Sequence, residues 1–194
     1  MRKSCDKCPL GAGRLMVPPS GPLSAPIMFL GEAPGEAEDR LGVPFVGRSG
    51  NVLAGLLELL GLRREQVLIT NICWCRPPEN RTPTLDEATT CKSNYLWPLL
   101  GKLTRLTLVI TLGGTAASHM GYGTKSIYKI AGIAREWLFG AYWWYPMVHP
   151  AATFRSRVGQ ERWREDGRRL RRLLDRDFFG IRRRHGPKRR EHSG

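Results

Sequence analysis

Residues 26–35 read PIMFLGEAPG, an apolar run that ends at a glycine and passes directly into a loop rich in glycine and proline. A short apolar run bounded by turn residues is typical of a strand that is buried on both faces. Three further runs of the same kind lie at residues 67–71, 106–112 and 142–148. The sequence therefore predicts four buried strands.

Helical patterns separate these runs. Thr84 and Glu87 have the spacing of a capping box, which opens a helix. Gly61 is the predicted C-cap of a helix whose apolar face contains Val52, Leu53, Leu56, Leu57 and Leu60. Strands that alternate with helices predict a parallel sheet covered on both faces, and ligands bind beyond the carboxyl ends of such strands.

The last predicted helix covers residues 158–178 and is rich in arginine, with Gly167 as a residue that weakens it. Its apolar face is predicted to contain Trp163, Leu170, Leu173, Leu174 and Phe178. We predict one domain over residues 1–180. Residues 181–194 are predicted to form a basic, disordered tail, because six of them are Lys or Arg and the segment is almost free of apolar residues.

The charge balance is strongly positive. Lys and Arg number 31 against 17 Asp and Glu, which gives a net charge of +14. This excess favours a polyanionic partner, with nucleic acid ahead of an anionic membrane surface. A solubility feature or a generally basic proteome is the alternative interpretation.

The chain contains no apolar run of transmembrane length, and its first residues lack the apolar core of a signal peptide. We therefore expect a cytoplasmic protein that associates with the nucleoid when it acts and has no membrane partner. In that compartment, five cysteines in 194 residues indicate metal or redox chemistry rather than disulfides.

Four cysteines form two pairs, Cys5 with Cys8 and Cys75 with Cys91. Four thiolates suit either zinc or a 4Fe–4S cluster, and the spacing does not choose between them. Cys73 points the same way as Cys75 on an extended segment and could compete as a ligand. A cysteine in that position is more often a small buried apolar residue, so we favour Cys75. A chain that binds no metal is the remaining alternative.

The loop over residues 31–50 holds five glycines between acidic residues and Phe45. Its glycines permit another molecule to approach the main chain closely. Carboxylates such as Glu38 would repel DNA unless they have a local task, for example orienting a base or a water molecule. Phe45 could stack on an extruded base, and a core or loop-anchoring role is equally consistent with its position.

Three polar residues follow predicted strands or a rigid loop. Asn71 ends the second strand, where its amide could read a pyrimidine edge or form a turn. Asn80 lies in a proline-stiffened loop that could aim its side chain. His149 follows the fourth strand, where it could donate a hydrogen bond to a departing oxyanion, although a single histidine is usually structural.

Together these segments resemble the family 4 uracil-DNA glycosylases, the iron–sulfur members of the uracil-DNA glycosylase superfamily. The resemblance extends from about Cys5 to Asp177. Its motifs are GEAPG at residues 31–35, with Glu38, Asp39 and GVPFVG at residues 42–47, then Asn71 with CRPP at 75–78 and NRTP at 80–83, and lastly HPAA at 149–152.

The resemblance implies a three-layer α/β/α sandwich with a central four-stranded parallel sheet. It also implies a 4Fe–4S cluster held by Cys5, Cys8, Cys75 and Cys91. Phe45 would then stack on uracil, Asn71 would bind the pyrimidine edge, and His149 would stabilise the charge of the leaving base. Carried over in the same way, Glu38 would lie near the C5 position of the base, Asn80 would position water or the sugar, and Glu32 and Ala33 would bind the substrate.

The implied activity is hydrolysis of the N-glycosidic bond of flipped-out uracil in single- or double-stranded DNA, carried out by a monomer. The motifs place no amine nucleophile, so we expect an abasic product without strand cleavage. Residues 123–132 lack the reactive histidine of a related group that becomes trapped on DNA, so we expect turnover. Rival interpretations are a glycosylase for another deaminated base, a zinc protein of similar fold, and a non-catalytic nucleic-acid-binding module.

Overall fold

Five strands form one sheet in the computed structural model, which describes residues 3–122, 126–137 and 141–181. Their order across the sheet is β2-β1-β3-β5-β4. The strands are β1 (Ile27–Gly31), β2 (Leu68–Asn71), β3 (Leu108–Leu112), β4 (Arg135–Trp137) and β5 (Tyr142–Met147). Four of them, β1, β2, β3 and β5, are mutually parallel, which confirms the prediction of four buried parallel strands.

The fifth strand, β4, pairs antiparallel with β5 at the edge of the sheet. Its register places Arg135 opposite Trp144 and Trp137 opposite Tyr142. Two of its three residues are charged, so the sequence contains no apolar run there to reveal a strand.

Alternation along the strands divides the core into two layers. Met28 and Leu30 of β1 pack in one apolar cluster, with Leu96 and Leu100, whereas Phe29 packs in the other. This period of two is the reason that a strand apolar at every position is buried on both faces.

Eight α-helices cover the two faces of the sheet within the described residues. They are α1 (Glu36–Leu41), α2 (Arg48–Leu60), α3 (Leu85–Cys91), α4 (Trp97–Leu100), α5 (Gly114–Ala117), α6 (Ile127–Ile130), α7 (Ala152–Arg155) and α8 (Arg157–Asp175). The predicted caps are confirmed: Gly61 ends α2 with φ 67°, and Thr84 accepts a hydrogen bond from the Glu87 backbone N–H at the start of α3.

The prediction for α8 holds except at its end. Gly167 lies where α8 crosses α2, and an added Cβ would come within 2.9 Å of Leu56 Cδ1, so this glycine permits close helix packing. Phe178 was predicted on the apolar face, which is wrong: α8 ends at Asp175, and Phe178 is 46% exposed. The adjacent Phe179 is the residue that enters the core.

Within the described residues no helix is long and apolar enough to cross a membrane. Apart from Ile181, the predicted tail lies outside the described residues, as does Lys125 of the loop after β3.

Candidate active site and cysteine pocket

A cleft of about 940 Å³ opens at the carboxyl ends of the parallel strands. Each of these strands contributes to its wall: Glu32 follows β1, Asn71 ends β2, Gly113 follows β3 and His149 follows β5. The residues predicted for the site all line this one cleft, namely Glu32, Ala33, Glu38, Phe45, Asn71, Asn80 and His149. The expectation that loops at one edge of the sheet converge is therefore confirmed.

Phe45 and Asn71 meet over Gly31, the last residue of β1. A Cβ added to Gly31 would lie 2.4 Å from Asn71 Oδ1 and 2.6 Å from Phe45 Cζ. Any side chain at this position would displace the ring or the amide. Glycine is thus required here because two side chains occupy the space above the backbone.

The backbone of Phe45 has φ 52°, a left-handed conformation that is rare for an aromatic residue. Arg64 donates hydrogen bonds to the carbonyls of Phe45 (3.0 Å) and Pro44. On the other side of the loop, Glu38 Oε1 accepts hydrogen bonds from the backbone N–H groups of Val46 (2.9 Å) and Gly47 (2.7 Å). A cation and an anion therefore hold the two ends of the strained turn.

Glu38 also uses its second oxygen, since Oε2 accepts a hydrogen bond from the Gly35 backbone N–H at 3.2 Å. Its carboxylate is consequently committed to the protein main chain. Burial lowers the pKa of Arg64, and the charge of Glu38 acts in the opposite direction. Both groups serve the conformation of the loop that carries Phe45.

His149 is held in one tautomer. The Ala151 backbone N–H donates to His149 Nδ1 at 3.1 Å, so the proton of the neutral ring lies on Nε2. Burial, followed by the charge of Arg155, lowers the pKa of His149 to about 4. The imidazole is therefore neutral at pH 7 and is a hydrogen-bond donor through Nε2.

Gly113 and Phe45 define the surroundings of that imidazole. Gly113 has φ 101°, and an added Cβ would lie 3.1 Å from His149 Cβ, so only glycine combines this backbone with this neighbour. The ring centroids of Phe45 and His149 are 6.5 Å apart. The stacking surface and the donor thus border the same part of the cleft.

Asn80 lies at the outer edge of the cleft and is exposed. It and Glu79 both have positive φ, 57° and 52°, which makes the turn after Pro78 tight. Asn80 Oδ1 accepts a hydrogen bond from Arg76 Nε at 2.9 Å. The loop is therefore fixed by a side-chain contact as well as by its prolines.

Four arginines in the cleft wall were not predicted: Arg40, Arg48, Arg81 and Arg155. Single arginines do not stand out in a chain with 31 basic residues. Their positions next to motifs were the available signal, because Arg48 follows the GVPFVG motif and Arg155 closely follows HPAA. Arg48 also lies over the ring of Phe154, 4.4 Å from its centroid.

A second, small pocket is lined by all five cysteines, together with Leu10, Met16, Trp74 and Tyr95. All five cysteines are free. Within the described part of the chain, no group of three or more potential ligands has the geometry of a single-ion site. The pocket nevertheless gathers five thiols beside apolar side chains, with Lys7 and Glu87 as its charged residues, and thiolates are the donors that suit soft metals and iron–sulfur clusters.

Two further contacts distinguish the cysteines from one another. Tyr95 donates its hydroxyl to Cys5 Sγ at 3.0 Å and stacks on Trp74. Cys73 is hydrogen-bonded to Cys91, and this contact is the largest cause that raises the pKa of Cys73 and lowers that of Cys91. Burial raises the pKa of Cys75 to about 12.

One ion pair joins the cleft to the cysteine pocket. Arg81 lines the cleft, and its guanidinium forms a bidentate pair with the carboxylate of Glu87 at 2.8 and 2.7 Å. Glu87 lines the cysteine pocket from α3. The hydrogen bonds from Arg81 are the main cause that lowers the pKa of Glu87 to about 2.

Fold and site together define an α/β protein with a ligand cleft at the strand carboxyl ends and a cysteine-lined pocket beside it. The family model described as the uracil DNA glycosylase superfamily matches residues 18–176. The chain belongs to this superfamily, which confirms the resemblance seen in its motifs.

Its relatives include proteins named type-4 uracil-DNA glycosylase. The chain is 41% identical to that of Thermotoga maritima over 162 residues, which cover 82% of this chain and 83% of the relative. It is 40% identical to that of Sulfurisphaera tokodaii over 187 residues, covering 92% and 79%. It is 41% identical to that of Saccharolobus solfataricus over 180 residues, covering 89% and 82%.

Proposed function

We propose that this protein is a DNA-repair glycosylase that hydrolyses the N-glycosidic bond of uracil flipped out of DNA. The products are free uracil and an abasic site. The observation that carries the proposal is the convergence of Phe45, Asn71 and His149 on one cleft. The names and the extensive similarity of its relatives support the same activity.

The base binds between an aromatic ring and an amide. Phe45 supplies a stacking surface worth about 1–3 kcal/mol per base. Asn71 supplies one acceptor and two donors, which match the edge of a pyrimidine. Glu32 and Ala33 bind the substrate from the segment that follows β1, where the Glu32 carbonyl is itself fixed by the Cys73 backbone N–H at 3.0 Å.

His149 stabilises the leaving group. Cleavage passes through an oxocarbenium-like sugar, as in other glycoside hydrolysis, while negative charge develops on uracil. The low pKa of His149 keeps the imidazole neutral, so it stabilises that charge by donating a hydrogen bond from Nε2–H rather than by acting as an imidazolium acid. Water then attacks C1′ of the sugar, and Asn80 positions the water or the sugar at the outer edge of the cleft.

Glu38 acts indirectly. Because its two oxygens accept three backbone hydrogen bonds, we assign it the task of fixing the Phe45 loop against the base. The fixed loop keeps the Phe45 ring in place, and we propose that this is how Glu38 helps to exclude the methyl group of thymine.

Cys5, Cys8, Cys75 and Cys91 are the proposed ligands of a 4Fe–4S cluster, and we favour Cys75 over Cys73, which lines the same pocket. The four residues belong to the N-terminal segment, the loop after β2 and the end of α3. A bound cluster would supply a structural cross-link between these three segments. The concentration of thiols beside apolar side chains in one pocket supports this assignment.

The proposed partner is DNA, with either single- or double-stranded substrates, and the enzyme acts as a monomer in the cytoplasm. Arg40, Arg48 and Arg155 line the cleft and supply the cations for the phosphates that flank the flipped base, whereas the guanidinium of Arg81 is committed to Glu87. Phosphate contacts of this kind position DNA without reading its sequence, so the base pocket alone supplies specificity for uracil.

The test uses anaerobically purified protein and oligonucleotides that contain uracil, hypoxanthine or thymine, followed by heating in alkali to cut abasic sites. We expect cleavage of uracil-containing strands only, with a rate about a hundredfold or more lower for the matched variant His149→Ala under the same conditions. Cleavage only at hypoxanthine would show that the protein is a glycosylase for a base other than uracil. If no strand is cleaved and DNA binding is retained, the protein is a non-catalytic nucleic-acid-binding module.

A further inference from the structure

Helix α8 carries more arginines than its carboxylates can pair. From Arg157 to the C-cap Arg176 there are eight arginines and four carboxylates. Every carboxylate already has a partner within about one turn, in the pairs Arg157–Glu161, Arg162–Asp166, Arg169–Glu165 and Arg171–Asp175. Four positive charges are therefore left over on one helix.

The remaining four are Arg164, Arg168, Arg172 and Arg176, which recur at every fourth residue and which we call the arginine row. All four are exposed, and none forms an ion pair with another described residue. Residues four apart lie on the same side of a helix, about 6 Å from one another along the axis. The row thus presents four like charges over about 18 Å.

Like charges at this spacing repel each other and destabilise a helix. The row lies opposite the face on which Trp163, Gly167 and Leu170 are buried, so it points away from the core. Solubility is improved by charges of either sign, and more by carboxylates than by arginines. Solubility alone therefore does not account for a row of one sign.

The row also continues from the cleft. Arg155 lines the cleft and immediately precedes Ser156, the N-cap of α8. From there α8 follows α2 away from the cleft: Gly167 lies against Leu56, and Arg171 donates to the Leu59 carbonyl at 2.9 Å. The row begins at Arg164, about 10 Å along α8 from its first residue, Arg157, at the helical rise.

We propose that the arginine row binds the phosphodiester backbone of DNA outside the cleft, as a second contact of the protein with nucleic acid. The inference rests on the proposed function only in the choice of DNA as the polyanion. One strand of B-DNA carries a phosphate about every 3.4 Å, so about 18 Å of arginines face about five phosphates. Arginine binds phosphate through paired N–H groups, and such contacts are independent of base sequence.

The test compares two double variants that remove the same charge. Arg168→Gln/Arg172→Gln removes half of the row, and Lys102→Gln/Arg105→Gln removes two exposed cations that precede β3, at the end of the sheet away from the cleft. Affinity for a uracil-free duplex of about 30 base pairs is measured as a function of salt. We expect the row variant to lose about 1.8 from the slope of log K against log salt, and the control to lose less than about 0.3.

Two further measurements separate this inference from the proposed function. On a single-stranded uracil oligonucleotide of about six nucleotides, which fills only the cleft, all three proteins should have the same kcat/KM. The row variant should also unfold at the same temperature as the unaltered protein or higher, because two repelling neighbours have been removed. Activity lost on the short substrate by the row variant alone would count against the inference, since it would reveal a disturbed cleft.

Varying the length of the substrate duplex shows whether the arginine row binds the flank of the cleaved DNA or a second duplex. If the row binds the flank of the cleaved duplex, extending that flank lowers KM for the unaltered protein and the control but not for the row variant. If it binds a second duplex, the unaltered protein brings two labelled duplexes together and the row variant does not. Equal changes of slope in both double variants, or no change in the row variant, overturn the proposal; the latter would leave an acidic protein as the partner.

Discussion

The cleft and the cysteine pocket lie side by side and are built in opposite ways. The cleft has about 940 Å³ of space and walls of amides, carboxylates and guanidinium groups. The cysteine pocket is much smaller, and thiols and apolar side chains such as Leu10 and Met16 make up most of its wall. An open polar site can exchange base and water during turnover, whereas a small site rich in thiols suits a group that stays bound. Changes in the cleft should therefore appear mainly in reaction rates, and changes in the cysteine pocket mainly in protein stability.

The two regions are nevertheless connected by one chain segment and by an ion pair. The chain passes from Asn71 in the cleft, through Cys75 in the pocket, and back to Asn80 at the edge of the cleft. Arg81 and Glu87 bridge the same two regions. Loss of the pocket should consequently disturb the cleft, but a change confined to the cleft should leave the pocket intact.

The largest effect is expected from Cys75→Ala. If Cys75 is a cluster ligand, the variant loses iron and visible colour, unfolds at least about 10 °C lower, and loses activity at the same time. Iron content, the visible spectrum and thermal unfolding are measured on anaerobically purified protein. The matched control is Cys73→Ala, which should retain iron and lose only a few degrees because it removes a small buried side chain. A Cys73→Ala protein without iron, beside a Cys75→Ala protein that keeps it, would reverse the assignment.

His149→Ala should give the next largest effect and confine it to the cleft. Removal of one donor to a developing oxyanion costs about 2.7–4 kcal/mol, so the single-turnover rate should fall by about a hundredfold or more. Iron content and unfolding temperature should stay close to those of the unaltered protein. The control is His119→Ala, a half-buried histidine outside the cleft wall, which should keep its rate. A loss of less than about threefold for His149→Ala would reject its role as donor.

Arg64→Gln should have a smaller effect, exerted through Phe45. Without the hydrogen bonds to the Pro44 and Phe45 carbonyls, the left-handed turn relaxes and the ring no longer stacks well. We expect KM to rise about tenfold with a smaller change in kcat, because stacking binds the base in the ground state as well as in the transition state. Arg64→Lys should recover only part of the loss, since a single ammonium does not reproduce the fork of the guanidinium.

Two comparisons identify Arg64 as a positioning residue. Arg63→Gln removes an exposed neighbouring charge that pairs with Glu65, and it should leave KM unchanged. In a Phe45→Ala background, Arg64→Gln should have almost no additional effect, because the side chain that it positions is gone. An equal rise in KM with and without Phe45 would show that Arg64 acts by another route.

The sequence could predict features that depend on neighbouring residues, and it could not predict those that depend on contacts between residues far apart along the chain. The four parallel strands, and with them Asn71 and His149, were predictable because continuous apolar runs mark buried strands and strand ends share one edge of the sheet. Phe45 was assigned a role only through the family resemblance, because its sequence context was equally consistent with a position in the core. Its turn is held by Arg64, which is 19 residues away along the chain and carries no local signal.

The same reason explains the other differences. The family resemblance implies that Glu38 lies near the C5 position of the base, but the sequence could not show that its two oxygens accept hydrogen bonds from backbone N–H groups of its own loop. The edge strand β4 is too short and polar to produce a period of two. Phe178 and Phe179 are adjacent aromatic residues, and the sequence pattern could not show which of them the chain buries after α8 ends.

Acid should weaken the two regions in different pH windows. The folded pKa of His149 is about 4 against an ordinary value of 6.5, so the unfolded chain binds the proton more readily. The stability that neutral His149 contributes is therefore complete above pH 6.5 and lost as the pH falls towards 4. For Glu87, with a pKa of about 2 against 4.5, the contribution of the bridge to Arg81 is complete above pH 4.5 and lost towards pH 2.

Denaturant unfolding at a series of pH values for the unaltered protein, His149→Gln and Glu87→Gln separates the two windows. The first variant should flatten the fall in unfolding free energy between pH 6.5 and 4, and the second should flatten it below pH 4.5. Burial also lowers the pKa of His119, which adds to the upper window in all three proteins, so the informative quantity is the difference between the curves. The rate of uracil release should show no step near pH 6.5, because the donor is already neutral there. A His149→Gln curve parallel to that of the unaltered protein between pH 6.5 and 4 would mean that the pKa of His149 is not lowered by folding. That result would contradict the assignment of His149 as a neutral donor with a lowered pKa. It would leave the assignment of the Arg81–Glu87 ion pair unchanged.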